Sequence, residues 1–191
     1  KGIVFDETLA DEYTLDLKET SKTPEGVIDF DALIWSKGPK DRPLYHYSLS
    51  VRLIRTMPEA PHQDITELYA STNAETISGK SLYLDGTLFH GPSFQGVESV
   101  LHVSQGKLVM RCILPEVDPA YQGQFPVQTS NPYIYDAIVQ CLLIWAQYFY
   151  QAPCLPSRME RLEQYRAIPF DQPCIVTMEV QSQSNTSVAG N

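Results

Sequence analysis

Basic residues are scarce in this chain of 191: 14 Lys and Arg stand against 23 Asp and Glu, for a net charge of −9. A surplus of that sign repels phosphate backbones and anionic lipid surfaces, so neither a nucleic-acid reader nor a membrane binder is expected. Cysteine is scarce too: Cys112, Cys141, Cys154 and Cys174 form no Cys-x-x-Cys pair, and no two stand closer than 13 positions. That spacing fits neither a zinc knuckle nor a disulfide scaffold, so no metal is expected and a reducing, cytoplasmic setting is the better expectation. Cys141, in an apolar run, reads as a buried structural thiol. A Gly-rich phosphate loop, a His-Glu-x-x-His helix and a Gly-x-Ser-x-Gly elbow are all missing, which removes nucleotide, metalloprotease and serine-hydrolase readings. The chain opens at Lys1 with neither an initiator Met nor a signal-peptide pattern, and reads as a piece of something longer.

What is present is the balance of a folded protein, 43% hydrophobic and 19% charged, enough for one ordinary domain or two small ones. Strand-like alternation runs through Tyr13, Leu15 and Leu17, then Val27 to Trp35, then Leu44 to Ile54. Thr23-Pro24-Glu25-Gly26 and Lys37-Gly38-Pro39-Lys40-Asp41 separate these runs, which predicts three antiparallel strands. From Thr56 to Lys80 the chain turns polar, as a linker would, with a short helix expected over Asp64 to Ala70 and a boundary near 70 to 80. Val97 to Val103 and Lys107 to Leu114 read as a hairpin about Ser104-Gln105-Gly106. Arg158 to Ile168 and Cys174 to Gln181 read as two more strands, and the polar tail from Ser182 is expected to fray.

The strongest element is Pro132 to Gln151. Asn131-Pro132 is a helix start, an N-cap side chain followed by the proline that suits the first turn. Apolar side chains surround most of its circumference, which predicts a buried helix of about 30 Å. Asp136, Gln140, Gln147 and Gln151 fall on one narrow stripe. An acid and two amides within the apolar run, with no Lys or Arg before it, argue against a membrane span. Strands wrapped around one apolar helix predict a mixed α+β fold with the helix as core.

Two segments carry a family likeness. Phe89-His90-Gly91-Pro92-Ser93-Phe94-Gln95-Gly96 is followed, 45 residues after Gly91, by Asp136-Ala137-Ile138-Val139-Gln140. In this order and at this distance they resemble the dehydratase domains of polyketide synthases, and above all the related domains of bacterial polyunsaturated fatty acid synthases. The resemblance covers roughly 82–181, and 13–54 only in strand pattern. It implies a double hotdog, each lobe an antiparallel sheet wrapped around a central helix. Residues 1–70 would be the strands of an incomplete first lobe with the start of a linker, and 71–191 the second lobe, with its central helix at about 132–151.

The resemblance further implies removal of water from a 3-hydroxyacyl chain. The chain is held on the phosphopantetheine arm of an acyl carrier protein; no cofactor belongs to the domain itself. In the family a first-lobe His takes the α-proton and a second-lobe Asp, here Asp136, protonates the departing hydroxyl. The implied partners are the carrier protein and neighbouring synthase domains, with room for a homodimer. The family's His lies in a His-x-x-x-Gly-x-x-x-x-Pro motif. His46, His62 and His90 have no Gly four residues on, and His102, followed by Gly106, has Arg111 in place of the proline. Half of the active site therefore lies outside this chain, or the domain is a degenerate relative. Two other readings stay open: a non-catalytic acyl-binding or scaffolding hotdog, and a product-template-like cyclase domain.

Physical chemistry assigns roles beside the resemblance. Asp136 is the one acid in an apolar helix. A general acid must hold its proton at neutral pH, which burial favours and the helix dipole opposes. Gln140, one turn on, is in position to bond the carboxyl or a substrate hydroxyl. The resemblance implies that Phe89, His90, Gly91, Pro92, Phe94, Gln95 and Gly96 line the acyl tunnel. The glycines and proline there also shape a turn and allow close packing, and by the same resemblance a backbone N–H of the segment would polarise the thioester carbonyl. His90 is a lesser candidate for a substitute base. Tyr133 and Tyr135 flank the acid, at the tunnel mouth or packed in the core. A tunnel further requires Asp136 at the inner end of an apolar groove.

Overall fold

The computed structural model describes residues 3, 9–62, 76–121, 131–184 and 186–191. They belong to two compact units, Lys1–Glu59 and Ala60–Asn191. The expected helix over Asp64 to Ala70 and the expected division at 70/71 lie outside the described residues.

The first unit is an antiparallel sheet of β1 (Tyr13–Lys22), β2 (Ile28–Lys37) and β3 (Pro43–Leu53), in that order. Its three strands are those the alternation predicts. The β1–β2 turn closes through Gly26 N–H to Thr23 C=O at 3.1 Å, and Gly26 takes a φ of +88° that a side chain would resist. Register aligns Leu15, Ile34 and Tyr47, then Leu17, Ala32 and Leu49, across the strands. Strict alternation therefore collects apolar side chains on one face. Asp29, Asp31, Ser50 and Arg52 occupy the other, where Arg52 Nε donates to Asp29 at 2.7 Å and Ser50 to Asp31 at 3.0 Å.

The second unit is a five-stranded antiparallel sheet in chain order: β4 (Ile77–Ser78), β5 (Val97–Val103), β6 (Lys107–Ile113), β7 (Pro173–Gln183) and β8 (Val188–Gly190). A short helix, α1 (Gly79–Leu84), follows β4, and a single-turn 3₁₀ segment spans Pro92–Phe94. Helix α2 (Pro132–Tyr150) lies against β6, β7, β8 and that turn. Leu108, Met110 and Cys112 of β6 and Val176 and Met178 of β7 meet Ala137, Cys141, Ile144 and Trp145 of α2 in one buried core. Cys141 is a fully buried free thiol, as its apolar setting suggests. The Trp145 indole donates to the Ser104 carbonyl at 2.9 Å, pinning the hairpin turn to the helix. The whole is a mixed α+β fold of antiparallel sheets and one long helix.

Three sequence expectations need correction. Residues 158–168 form no strand. Leu155, Met159 and Leu162 recur every three or four positions rather than every second, so an extended chain here has no single apolar face. The tail does not simply fray: Val188–Gly190 pairs with β7 and occupies the sheet edge, and Glu179 and Asn191 exchange backbone bonds of 2.7 and 2.8 Å. Nor is α2 buried all round. Its sheet-facing side is closed, while Ile138, Tyr148 and Tyr150 are exposed.

Candidate functional site

Asn131 starts α2 as its cap, its Oδ1 accepting from the Tyr133 N–H at 3.0 Å, with Pro132 in the first turn. That fixes the phase of the helix. One turn further on, Asp136 and Gln140 share a face, and Gln140 Nε2 donates to Asp136 Oδ2 at 2.6 Å. The second N–H of the same amide donates to the Phe94 carbonyl at 3.0 Å. The helix motif and the Gly-Pro turn, 45 residues apart in sequence, thus meet at one carboxyl.

The turn brings His90 with it. His90 Nε2 lies 3.6 Å from Asp136 Oδ2, an ion-pair distance when the imidazole is protonated and too long for a neutral hydrogen bond. Its Nδ1 is buried with no hydrogen-bond partner. Phe89 stacks on the imidazole at 4.7 Å, and Gln95 Nε2 donates to the His90 carbonyl at 3.0 Å, which holds the loop closed. Tyr133 is buried, edge-on to Phe94 at 5.0 Å. The Tyr135 hydroxyl donates to Gln164 at 2.7 Å.

The two glycines of the turn differ. A Cβ on Gly96 would press on Leu114, so close packing is its role; a Cβ on Gly91 would meet only open space. Gly91, with Pro92, sits exposed in ordinary extended geometry, at a φ of −67°. Close packing, expected of both glycines, holds for Gly96 alone.

Sequence reasoning missed Tyr83. Its hydroxyl, on α1, accepts from the Val97 N–H at 3.1 Å and donates to Gln140 Oε1 at 2.9 Å. Burial pushes this phenol up to about 12, against the Val97 hydrogen bond that favours the phenolate. The one signal in the sequence was the buried amide of Gln140, whose oxygen needs a donor from somewhere.

Asp136 is 29% exposed, with the large apolar side chains of Phe89 and Phe94 exposed beside it. A cavity of about 400 Å³ nearby is lined by Lys80, Tyr83, Gln95, Val97 and Glu98 among others, and not by Asp136. The expected groove with Asp136 at its inner end is not that cavity. Among the described residues no three His, Cys, Asp or Glu side chains gather as a metal centre needs, and no helix is long and apolar enough to cross a membrane.

Comparison with known proteins gives this geometry a family. The chain is 31% identical over 121 residues to one of the polypeptides of a polyunsaturated fatty acid synthase from a Thraustochytrium species, a match that takes in 62% of this chain and 4% of that protein. Among solved structures, a dehydratase domain from Pseudomonas fluorescens matches 92% of the chain with a TM-score of 0.51 at 13% identity. The bifunctional dehydratase-cyclase domain of ambruticin biosynthesis matches 93% with a TM-score of 0.51 at 20% identity. At those identities the likeness is one of fold, and the chain spans only 60% and 61% of the two domains. Residues 65–191, more than half of the chain and including both motif segments, match the family described as polyketide synthase dehydratase N-terminal domain. By that match the chain belongs to the polyketide synthase dehydratase family.

Proposed function

We propose that this chain supplies the acid-bearing half of a dehydratase in a multidomain polyketide or polyunsaturated fatty acid synthase. The observation that carries the reading is the shared carboxyl: Gln140 bonds Asp136 Oδ2 with one N–H and the Phe94 carbonyl with the other. A protonated Asp136 gives its proton to the 3-hydroxyl of the acyl chain, which leaves as water. A His outside this chain takes the C2 proton, and the electron pair it releases forms the C2–C3 double bond. The substrate arrives as a thioester on the phosphopantetheine arm of an acyl carrier protein, in the cytoplasm. His90, Phe89, Phe94 and the open side of Gly91 line its path.

The double-hotdog reading belongs to the same proposal, with unit 1 as the strands of an incomplete first lobe. Support comes from the apolar face of the β1–β3 sheet, where Leu15, Leu17, Leu49 and Leu53 are all about half exposed or more. A sheet with one apolar face needs a second layer.

The test is Asp136→Asn in a dehydratase that carries both lobes. The substitution keeps size and hydrogen bonding and removes the acidic proton, so turnover of a 3-hydroxyacyl thioester should fall by about 10²-fold or more. Undiminished turnover refutes the role. The 191-residue chain alone is expected to be inactive.

A further inference from the structure

Tyr83 ties three elements together. Its phenol lies between the first N–H of β5 and the buried end of the Gln140 side chain on α2, while its backbone belongs to α1. A phenol has one proton to give. Val97 N–H can only donate, so the phenol oxygen accepts there and its proton goes to Gln140 Oε1. This settles which end of the amide faces which neighbour. The oxygen faces Tyr83, and both N–H bonds point at acceptors, Asp136 Oδ2 and the Phe94 carbonyl. The amide is 1% exposed, so no water stands ready to replace a lost partner.

We propose that Tyr83 is a positioning residue for the Asp136 carboxyl, acting through Gln140. It rests on the reading of Asp136 as the acid only where turnover is concerned; the orientation of the amide is a property of this chain. Without the hydroxyl, Gln140 Oε1 becomes a buried acceptor with no donor, a state that proteins avoid by moving the group. The amide then swings toward water, and its hydrogen bonds to Asp136 and to the Phe94 carbonyl loosen together. The carboxyl loses its fixed direction, and the turn that carries His90 loses one tether.

The experiment is Tyr83→Phe, which keeps the ring. In the ¹⁵N-labelled 191-residue chain, the Gln140 side-chain NH₂ of the unmodified protein should give two well-separated resonances with slow solvent exchange. In the variant they should move together and exchange at least about tenfold faster, the scale of one lost hydrogen bond. In a two-lobed dehydratase the same change should lower kcat about tenfold with KM within about twofold, and should add nothing in a Gln140→Leu background. Unchanged Gln140 resonances overturn the proposal whatever the activity shows. Multiplicative losses in the double variant overturn it too, because they mean that Tyr83 acts by a separate route. An active Asp136→Asn enzyme sinks the acid assignment but leaves the resonance result standing, so the two failures are distinguishable.

Discussion

Two antiparallel sheets in this chain are built from similar alternating strands and end in different states. In the second unit, Leu108, Met110 and Cys112 of β6 are fully buried because α2 covers them. In the first, Leu17 is 61% exposed although it aligns with apolar Ala32 and Leu49 across the sheet. Alternation determines that a strand has an apolar face. Whether that face becomes a core depends on a covering layer, and among the described residues of unit 1 there is no α-helix. A large exposed apolar face marks a contact not yet made.

This comparison can be broken most sharply by truncation in the two sheets. Trp145→Ala removes the largest fully buried side chain of the second unit, together with the indole bond to the Ser104 carbonyl. It should destabilise that unit by about 3–5 kcal/mol in urea unfolding. Leu17→Ala deletes a similarly apolar group from an exposed position that no α-helix among the described residues of unit 1 covers, and should change stability by no more than about 0.5 kcal/mol. Equal losses at the two positions would mean that Leu17 is covered after all.

A smaller effect is expected where backbone meets backbone. Gly79 opens α1 where the Val97 carbonyl of β5 packs directly over its Cα, and an added Cβ would overlap that carbonyl. Backbone cannot rotate away as a side-chain tip can. Gly79→Ala should therefore cost about 1–3 kcal/mol and, by shifting α1, disturb the Tyr83 bond to Val97. Full retention of stability would show that α1 is loosely attached and cannot anchor Tyr83.

The parts of the site that were legible in sequence are those that local geometry determines. Asn131-Pro132 announces the helix start, and the four-residue step from Asp136 to Gln140 puts them on one face. The Gly-Pro turn was legible as a turn, and its meeting with Asp136 followed from the family resemblance. Tyr83 was not legible because its partners lie 14 and 57 residues away and belong to two different elements. The misread strand at 158–168 has a local cause instead: Leu155, Met159 and Leu162 recur every three or four positions, which gives an extended chain no single apolar face to lay on a sheet.

The subtlest contrast concerns protons rather than packing. Of the 11 tyrosines, Tyr83 has a phenol that burial raises to about 12, against an ordinary value near 10. The folded state therefore keeps a proton that the unfolded state releases, and stability depends on which state binds more protons. Below about pH 10 both states are protonated and the contribution is complete. Between about pH 10 and 12 the unfolded chain ionises first, so this part of the stability is lost as pH rises. Tyr83→Phe should remove that loss, giving a flatter alkaline limb in denaturant unfolding. It should also delete one late-ionising phenol from the absorbance titration of the folded chain. The effect is modest because Tyr83 is only partly buried. An alkaline limb identical in the two proteins would mean that the phenol is wet, and a wet phenol could not hold the Gln140 amide in the one orientation that serves Asp136.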